Sequence, residues 1–226
     1  TSAGGATTTS RAGNVLTVNL DRVYNTSETV DVTVTYHGNP TGAGYFGFNI
    51  VNGRQLIWSL SEAYGARTWW PCKDAPEDKA DSVTVHFTCP SALTTVSNGT
   101  QINRVIVGAN ATTHWSERYP IATYLVSIAA YPYTVTTDWF KYTPTDSMLL
   151  RFHHYPESNA AFASVNAKVK TMLAWFTTKY GAYPFLAEKY GHAQFQFSGG
   201  MDHQTCTTHG VTNESVVAHE LAHQWW

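Results

Sequence analysis

His219, Glu220 and His223 stand together in the run HELAH. On a helix, two histidines four positions apart share one face, so both imidazoles can hold the same ion. The spacing suits zinc. Glu220, beside the first histidine, is placed to take a proton from a zinc-bound water, which is the chemistry of metal-assisted hydrolysis. A catalytic zinc usually has three protein ligands and one open position, and this run supplies only two of the three.

Such a triplet acts only if a helix presents it. Asn213 is a suitable N-cap, and Val216, Val217, Leu221 and Ala222 supply apolar positions around the motif, so a partly buried helix is predicted here. Upstream, AAFASVNAKVKTMLAWFTTKYG repeats apolar residues at three- and four-residue steps. Phe162, Val165, Val169, Met172, Leu173 and Phe176 form one stripe, and Gly181 is a stop.

From Asn14 to about Val135 the period is two. VLTVNL puts Leu16, Val18 and Leu20 on one face, VDVTVTYHG does so with Val30, Val32, Val34 and Tyr36, and SVTVHFTCP with Val83, Val85 and Phe87. Turn residues punctuate these runs at HGNPTGAG, VNGR and SNGT. The expectation is an antiparallel β domain that hands over near residues 136 to 148 to an α/β region ending in the histidine motif.

Length and charge limit the alternatives. The 226 residues hold one large or two modest domains. A net charge of -2 and a pI near 6.5 leave no basic footprint for nucleic acid and no polybasic membrane signal. No apolar run is as long as a membrane span, and TSAGGATTTS lacks the character of a signal peptide. Charged residues make up 13% of the chain, about half the usual share, and aromatics reach 14%, which points to a secreted or extracytoplasmic protein. Cys72, Cys89 and Cys206 allow one disulfide at most, with Cys72 to Cys89 as one possibility and buried thiols as the plainer reading.

Three blocks resemble the zinc aminopeptidases of the aminopeptidase N and leukotriene hydrolase type, the gluzincins. They are SEAYGARTWWPCKDAPEDKADS at 61 to 82, GAYPFLAEKYGHAQFQFSGGMDHQT at 181 to 205, and VVAHELAHQWW at 216 to 226; YPIATYLVSIAAYPY lies between the first two. The resemblance implies a mainly β, saddle-like antiparallel sheet domain, taken as residues 13–140; the small polar residues of TSAGGATTTS read as a mature N-terminus or linker, a flexible segment at 1–12. The resemblance also implies the start of an α/β thermolysin-like catalytic domain over 141–226. Zinc would be held by His219 and His223 with Glu220 as the base, and the substrate would be a peptide with a free N-terminus. The third ligand, a glutamate nineteen positions after the second histidine, and an oxyanion-stabilising tyrosine are expected beyond Trp226. The stretch in hand is therefore expected to be inactive alone.

The same resemblance assigns substrate contacts to Gly199, Gly200, Met201, Asp202, His203 and Glu62. Two glycines let a strand come close to a substrate, and a carboxylate beside them can hold an α-ammonium group. The family form is usually G-x-M-E-N, so Asp202 is shorter than the usual glutamate and His203 replaces an asparagine; Leu60 stands where many members carry glutamine. Plainer readings compete: a solvated glycine turn at Asp202, a surface carboxylate at Glu62. Trp69, Trp70 and Pro71 read as interface core, and His153 and His154 as strand residues more than as a second metal site. A zincin endopeptidase would have no use for the amine anchors, and a binding module would keep only the fold.

Overall fold

Residues 8–226 are described in a computed structural model, apart from the side chains of residues 42 and 43. They fall into two compact units that divide between Asn39 and Pro40.

In the first unit, β1 (Thr8–Ala12) and β2 (Val15–Asn19) form an antiparallel hairpin around Gly13, whose φ is 57°. Of the segment expected to be flexible, residues 1–7 lie outside the described residues and residues 8–12 are strand. The strand expected from Val30 to Tyr36 joins no ladder among the described residues: Val30, Val32 and Val34 are 38%, 50% and 37% exposed in chain without regular secondary structure. Alternation makes a segment able to pair, but a ladder needs a second backbone about 4.8 Å away. Among the described residues no strand supplies it.

The second unit opens with β3 (Phe46–Val51) and β4 (Arg54–Ser59). Asn52 and Gly53 join them at φ 49° and 73°, the left-handed pair that a two-residue hairpin turn requires. Then come β5 (Val83–Pro90), β6 (Thr94–Ser97), β7 (Thr100–Val107), β8 (Asn110–Glu117) and β9 (Ile128–Tyr131). They complete two antiparallel sheets, ordered β3-β4-β9-β6 and β5-β8-β7. Along β5, Val83, Val85 and Phe87 are the more covered positions and Thr84, His86 and Thr88 face water, as the alternation predicts.

A mixed sheet follows, built from β10 (Thr134–Lys141), β11 (Ser147–His154), β12 (Lys189–Gln194), β13 (Gly200–Met201) and β14 (Thr207–His209) in the order β10-β11-β12-β14-β13. β11, β12 and β14 run parallel, and β11 reaches β12 through helix α1 (Asn159–Tyr180), since a parallel crossover needs a long connection. α1 buries Phe162, Val165, Val169 and Leu173 and ends at Gly181, where φ is 93°. A second helix, α2 (Glu214–Ala222), lays Val217 and Leu221 against that stripe and against Met148, Leu150, Phe152 and Tyr190. Each buried leucine contributes about 1.5–3 kcal/mol relative to exposure, which holds α2 in a fixed orientation on the sheet.

Cys72, Cys89 and Cys206 are free thiols, so no bridge joins Cys72 to Cys89. Cys89 packs on Phe46 and Leu93, while Cys72 lies beside Thr123 and Asp74. Among the described residues no helix is long and apolar enough to cross a membrane.

Candidate active site

Asn213 starts α2: its Oδ1 accepts a hydrogen bond from the Ser215 amide at 2.9 Å, satisfying one of the otherwise unpaired first-turn donors. With Val217 and Leu221 anchored in the core, the 3.6-residue period turns His219 and His223 outward on one exposed face. Their Nε2 atoms lie 3.1 Å apart with the rings nearly perpendicular. Two imidazole nitrogens on one tetrahedral zinc stand about 3.3 Å apart. The same separation suits an N–H···N hydrogen bond, so a cation could replace the shared proton with little movement of either ring. The donor set fits zinc as two of its ligands. Among the described residues no group of three or more His, Cys, Asp or Glu gathers to complete a site.

Glu220, on the flank of the helix next to His223, is 8% exposed. It lies directly over Gly200: a Cβ at that glycine would come within 2.5 Å of the Glu220 Cγ and 2.7 Å of its Oε1. A side chain at 200 would therefore displace the Glu220 carboxyl from its place. Burial, and then the charges of Asp202 and Glu62, raise the Glu220 carboxyl to about 7. A carboxyl held near neutrality can take up and release a proton at working pH. Burial raises Asp202 as well, against the lowering effect of His223 and His219.

The fold thus gathers Glu62 from the segment after β4, Gly200 and Asp202 from β13 and its exit, and His219, Glu220 and His223 from α2. Gly199 leads into β13 and is partly exposed. Met201 and His203 are enclosed; the His203 Nδ1 lies 2.8 Å from the Thr208 Oγ1, so its ring braces β14 from behind. Leu60 and Trp69 pack into core clusters, Trp69 also donating from Nε1 to the Ser61 Oγ at 2.9 Å. His153 and His154 are wholly buried. Tyr124 is a neighbour that spacing alone does not reveal. Burial raises its hydroxyl, followed by the charges of Asp202 and Glu62, which places it among the same carboxylates.

Gln224, one residue past His223, ties the two halves of the site together. Its Oε1 accepts from the Thr205 amide at 2.8 Å and its Nε2 donates to the Asp202 carbonyl at 3.0 Å. Thr205 is left-handed, with φ 61°, and is held from the far side by the Gly99 amide, which donates to its Oγ1 at 2.7 Å. The Asn98 side chain donates to the Gln204 carbonyl at 2.7 Å. A Gln224→Ala change would leave buried backbone groups unpaired and should cost about 2–4 kcal/mol, read as a lower urea midpoint. An unchanged midpoint would show that the clamp carries no energy.

The model of the peptidase M1 N-terminal domain matches residues 5–125. The chain belongs to the peptidase M1 family. Leucine aminopeptidase 2 of Candida glabrata is 27% identical over 182 residues, covering 76% of this chain and 26% of that protein. A mutant of a two-domain M1 zinc metallopeptidase bound to L-tryptophan is 27% identical with a TM-score of 0.70, covering 80% of this chain and 41% of that one. A mutant of the M1 zinc metallopeptidase of Deinococcus radiodurans bound to a Tyr-Ser-Ala substrate is 26% identical with a TM-score of 0.64, covering 75% and 39%. The M1 chain in hand thus spans about a quarter of its curated relative and about two fifths of these solved chains.

Proposed function

We propose that this M1 chain is part of a zinc aminopeptidase that removes N-terminal residues from peptides. The observation that carries the reading is the convergence of two imidazoles 3.1 Å apart with a buried carboxyl of raised pKa and two further carboxylates, Asp202 and Glu62. Zinc, when bound at His219 and His223, supplies a Lewis acid that polarises the scissile carbonyl and acidifies water. Glu220 takes the proton from the attacking water and passes it to the leaving amine. Asp202 and Glu62 hold the substrate's α-ammonium group, so the bond cut is counted from the free N-terminus. β13 is the edge strand of its sheet, and its outer side can receive an extended peptide by strand addition.

The third zinc ligand is assigned to a glutamate outside the described residues. Residues 13–140 are assigned to the β domain and 141–226 to the first part of a thermolysin-like catalytic domain, a division supported by the change from antiparallel sheets to a helix-crossed mixed sheet. An extracytoplasmic setting belongs to the same proposal, supported by the low share of charged residues.

The amine anchors separate this reading from an endopeptidase. Asp202→Ala and Glu62→Ala, assayed in the complete enzyme on free and N-acetylated versions of one peptide, should each lower the preference for the free amine by about 10- to 100-fold in kcat/KM. Unchanged discrimination in both variants would remove the exopeptidase assignment.

A further inference from the structure

A second recess lies away from the histidines, in the β region. It has a volume of about 380 Å³, and its lining includes Arg104, Arg151, Thr94, Thr95, Gln101 and Thr113 but no Asp or Glu. Two guanidinium groups therefore share one pocket with no carboxylate in its wall. Arg104 is exposed at the mouth, whereas Arg151 is partly buried; a partly buried charge without a partner is costly, and the pairing that relieves it is an anion.

The two arginines are held differently. Arg104 on β7 donates from Nη2 to the Ser91 carbonyl at 2.6 Å, which orients the group without neutralising it. Arg151, mid-strand on β11, makes no hydrogen bond or ion pair among the described residues, and its buried Nε has no partner. Its Cζ stands 5.7 Å from the Trp115 ring centroid, within cation–π range. Lys189 reaches the same indole at 5.7 Å, but burial lowers its ammonium, and neither it nor its neighbours Glu117 and Glu188 line the pocket.

Thr113 is the independent sign. It sits directly opposite Arg104 in the β7–β8 ladder, is 1% exposed, and its Oγ1 has no hydrogen-bond partner. Buried hydroxyls are nearly always paired. Here the unpaired oxygen lines the cavity that the two guanidinium groups share.

We propose that this pocket is a binding site for a tetrahedral oxyanion, free phosphate or sulfate or the corresponding monoester headgroup, gripped by Arg104 and Arg151 and capped by the Thr113 hydroxyl. The donors come from three strands, β7, β8 and β11, and so reach the pocket from different sides, which suits an anion with three or more oxygens better than the two coplanar oxygens of a carboxylate. The pocket volume leaves room for a small substituent on the ester.

The test is calorimetric titration of the protein at fixed ionic strength in chloride buffer, with orthophosphate, glycerol phosphate and acetate as separate probes. One saturable site per chain is expected for orthophosphate or glycerol phosphate. The free anion is the occupant if orthophosphate binds tighter, and the ester if glycerol phosphate binds equally or tighter. Arg151→Gln should weaken binding about tenfold or more, and its side chain makes no hydrogen bond that the fold would lose. Thr113→Val, nearly the same shape, should weaken binding a few-fold without lowering the urea midpoint. Lys170→Gln, the same charge change on the exposed side of α1, should leave binding unchanged. Absence of a saturable site, equal binding of acetate, or equal losses in Arg151→Gln and Lys170→Gln would each overturn the proposal.

Discussion

A complete enzyme carrying Glu220→Gln should keep its zinc and lose its turnover, with kcat down about a thousandfold or more. The amide has the same shape, so it fits the cleft over Gly200, where a Cβ is already excluded. It cannot accept a proton. Nor is the residue a ligand in this geometry: its carboxyl is buried against Gly200, beside the exposed pair His219 and His223. Removing a carboxyl that burial and two like charges already disfavour should also leave stability unchanged or raised, which separates a chemical defect from misfolding. Steady-state rates, zinc per chain and a urea titration check the three statements. Zinc lost together with activity would make Glu220 a ligand or a structural prop, and near-normal kcat would leave it without a role.

The second large effect is on stability in acid. His153, His154, His192, His203 and His209 are buried, and burial is the main reason each is held below the ordinary histidine range; His154 and His209 fall to about 4 and His203 to about 3. Their hydrogen bonds specify neutral rings. The Asn166 amide donates to the His154 Nε2 at 2.8 Å while its oxygen accepts from the His192 Nδ1 at 2.9 Å, and the His209 Nδ1 donates to the Val211 carbonyl at 2.7 Å. The Nε2 atoms of His153, His192, His203 and His209 are left without partners, so a second proton on any of these rings would be buried unpaired.

The sign follows from proton counting. The unfolded chain binds these protons below about pH 6.5 and the folded chain does not, so the stabilisation is fully present above that pH and is lost as pH falls toward the folded values. Glu117, raised to about 8, and Glu220 and Asp202, also raised, act in the opposite sense: they hold protons in the fold and lose stability as pH rises through neutrality. Five histidines outweigh three carboxyls on the acid side. Stability should peak near pH 6.5 and fall by about 3 kcal/mol per pH unit around pH 5.5, for a net uptake of about two protons on unfolding. Urea midpoints of metal-free protein from pH 5 to 8.5 measure this, and a midpoint that is flat between pH 5 and 6.5 would contradict the neutral-histidine core.

Local patterns in this chain reported local facts. The stripe from Phe162 to Phe176, its stop at Gly181 and the cap at Asn213 were legible because helix period and capping depend on near neighbours only. So was the Asn52–Gly53 turn, which is set by two backbone dihedrals. The run from Val30 to Tyr36 has the same alternation as real strands here but no ladder, because pairing depends on a distant backbone that alternation does not specify.

The sequence by itself determined which side chains share the outward face of α2 and that Glu220 accompanies them, since a helical period converts spacing into direction. Tertiary structure decided the rest. Only packing shows that Glu220 lies over Gly200, that Tyr124 joins Asp202 and Glu62, that His203 faces inward to Thr208, and that Gln224 clamps the segment bearing Asp202. Likewise only the fold brings Arg104 and Arg151 into one pocket from separate sheets. The physical reason is range: spacing fixes direction within one element, whereas a charge's partner, a carboxyl's burial and a ring's free nitrogen depend on residues brought together by the whole unit.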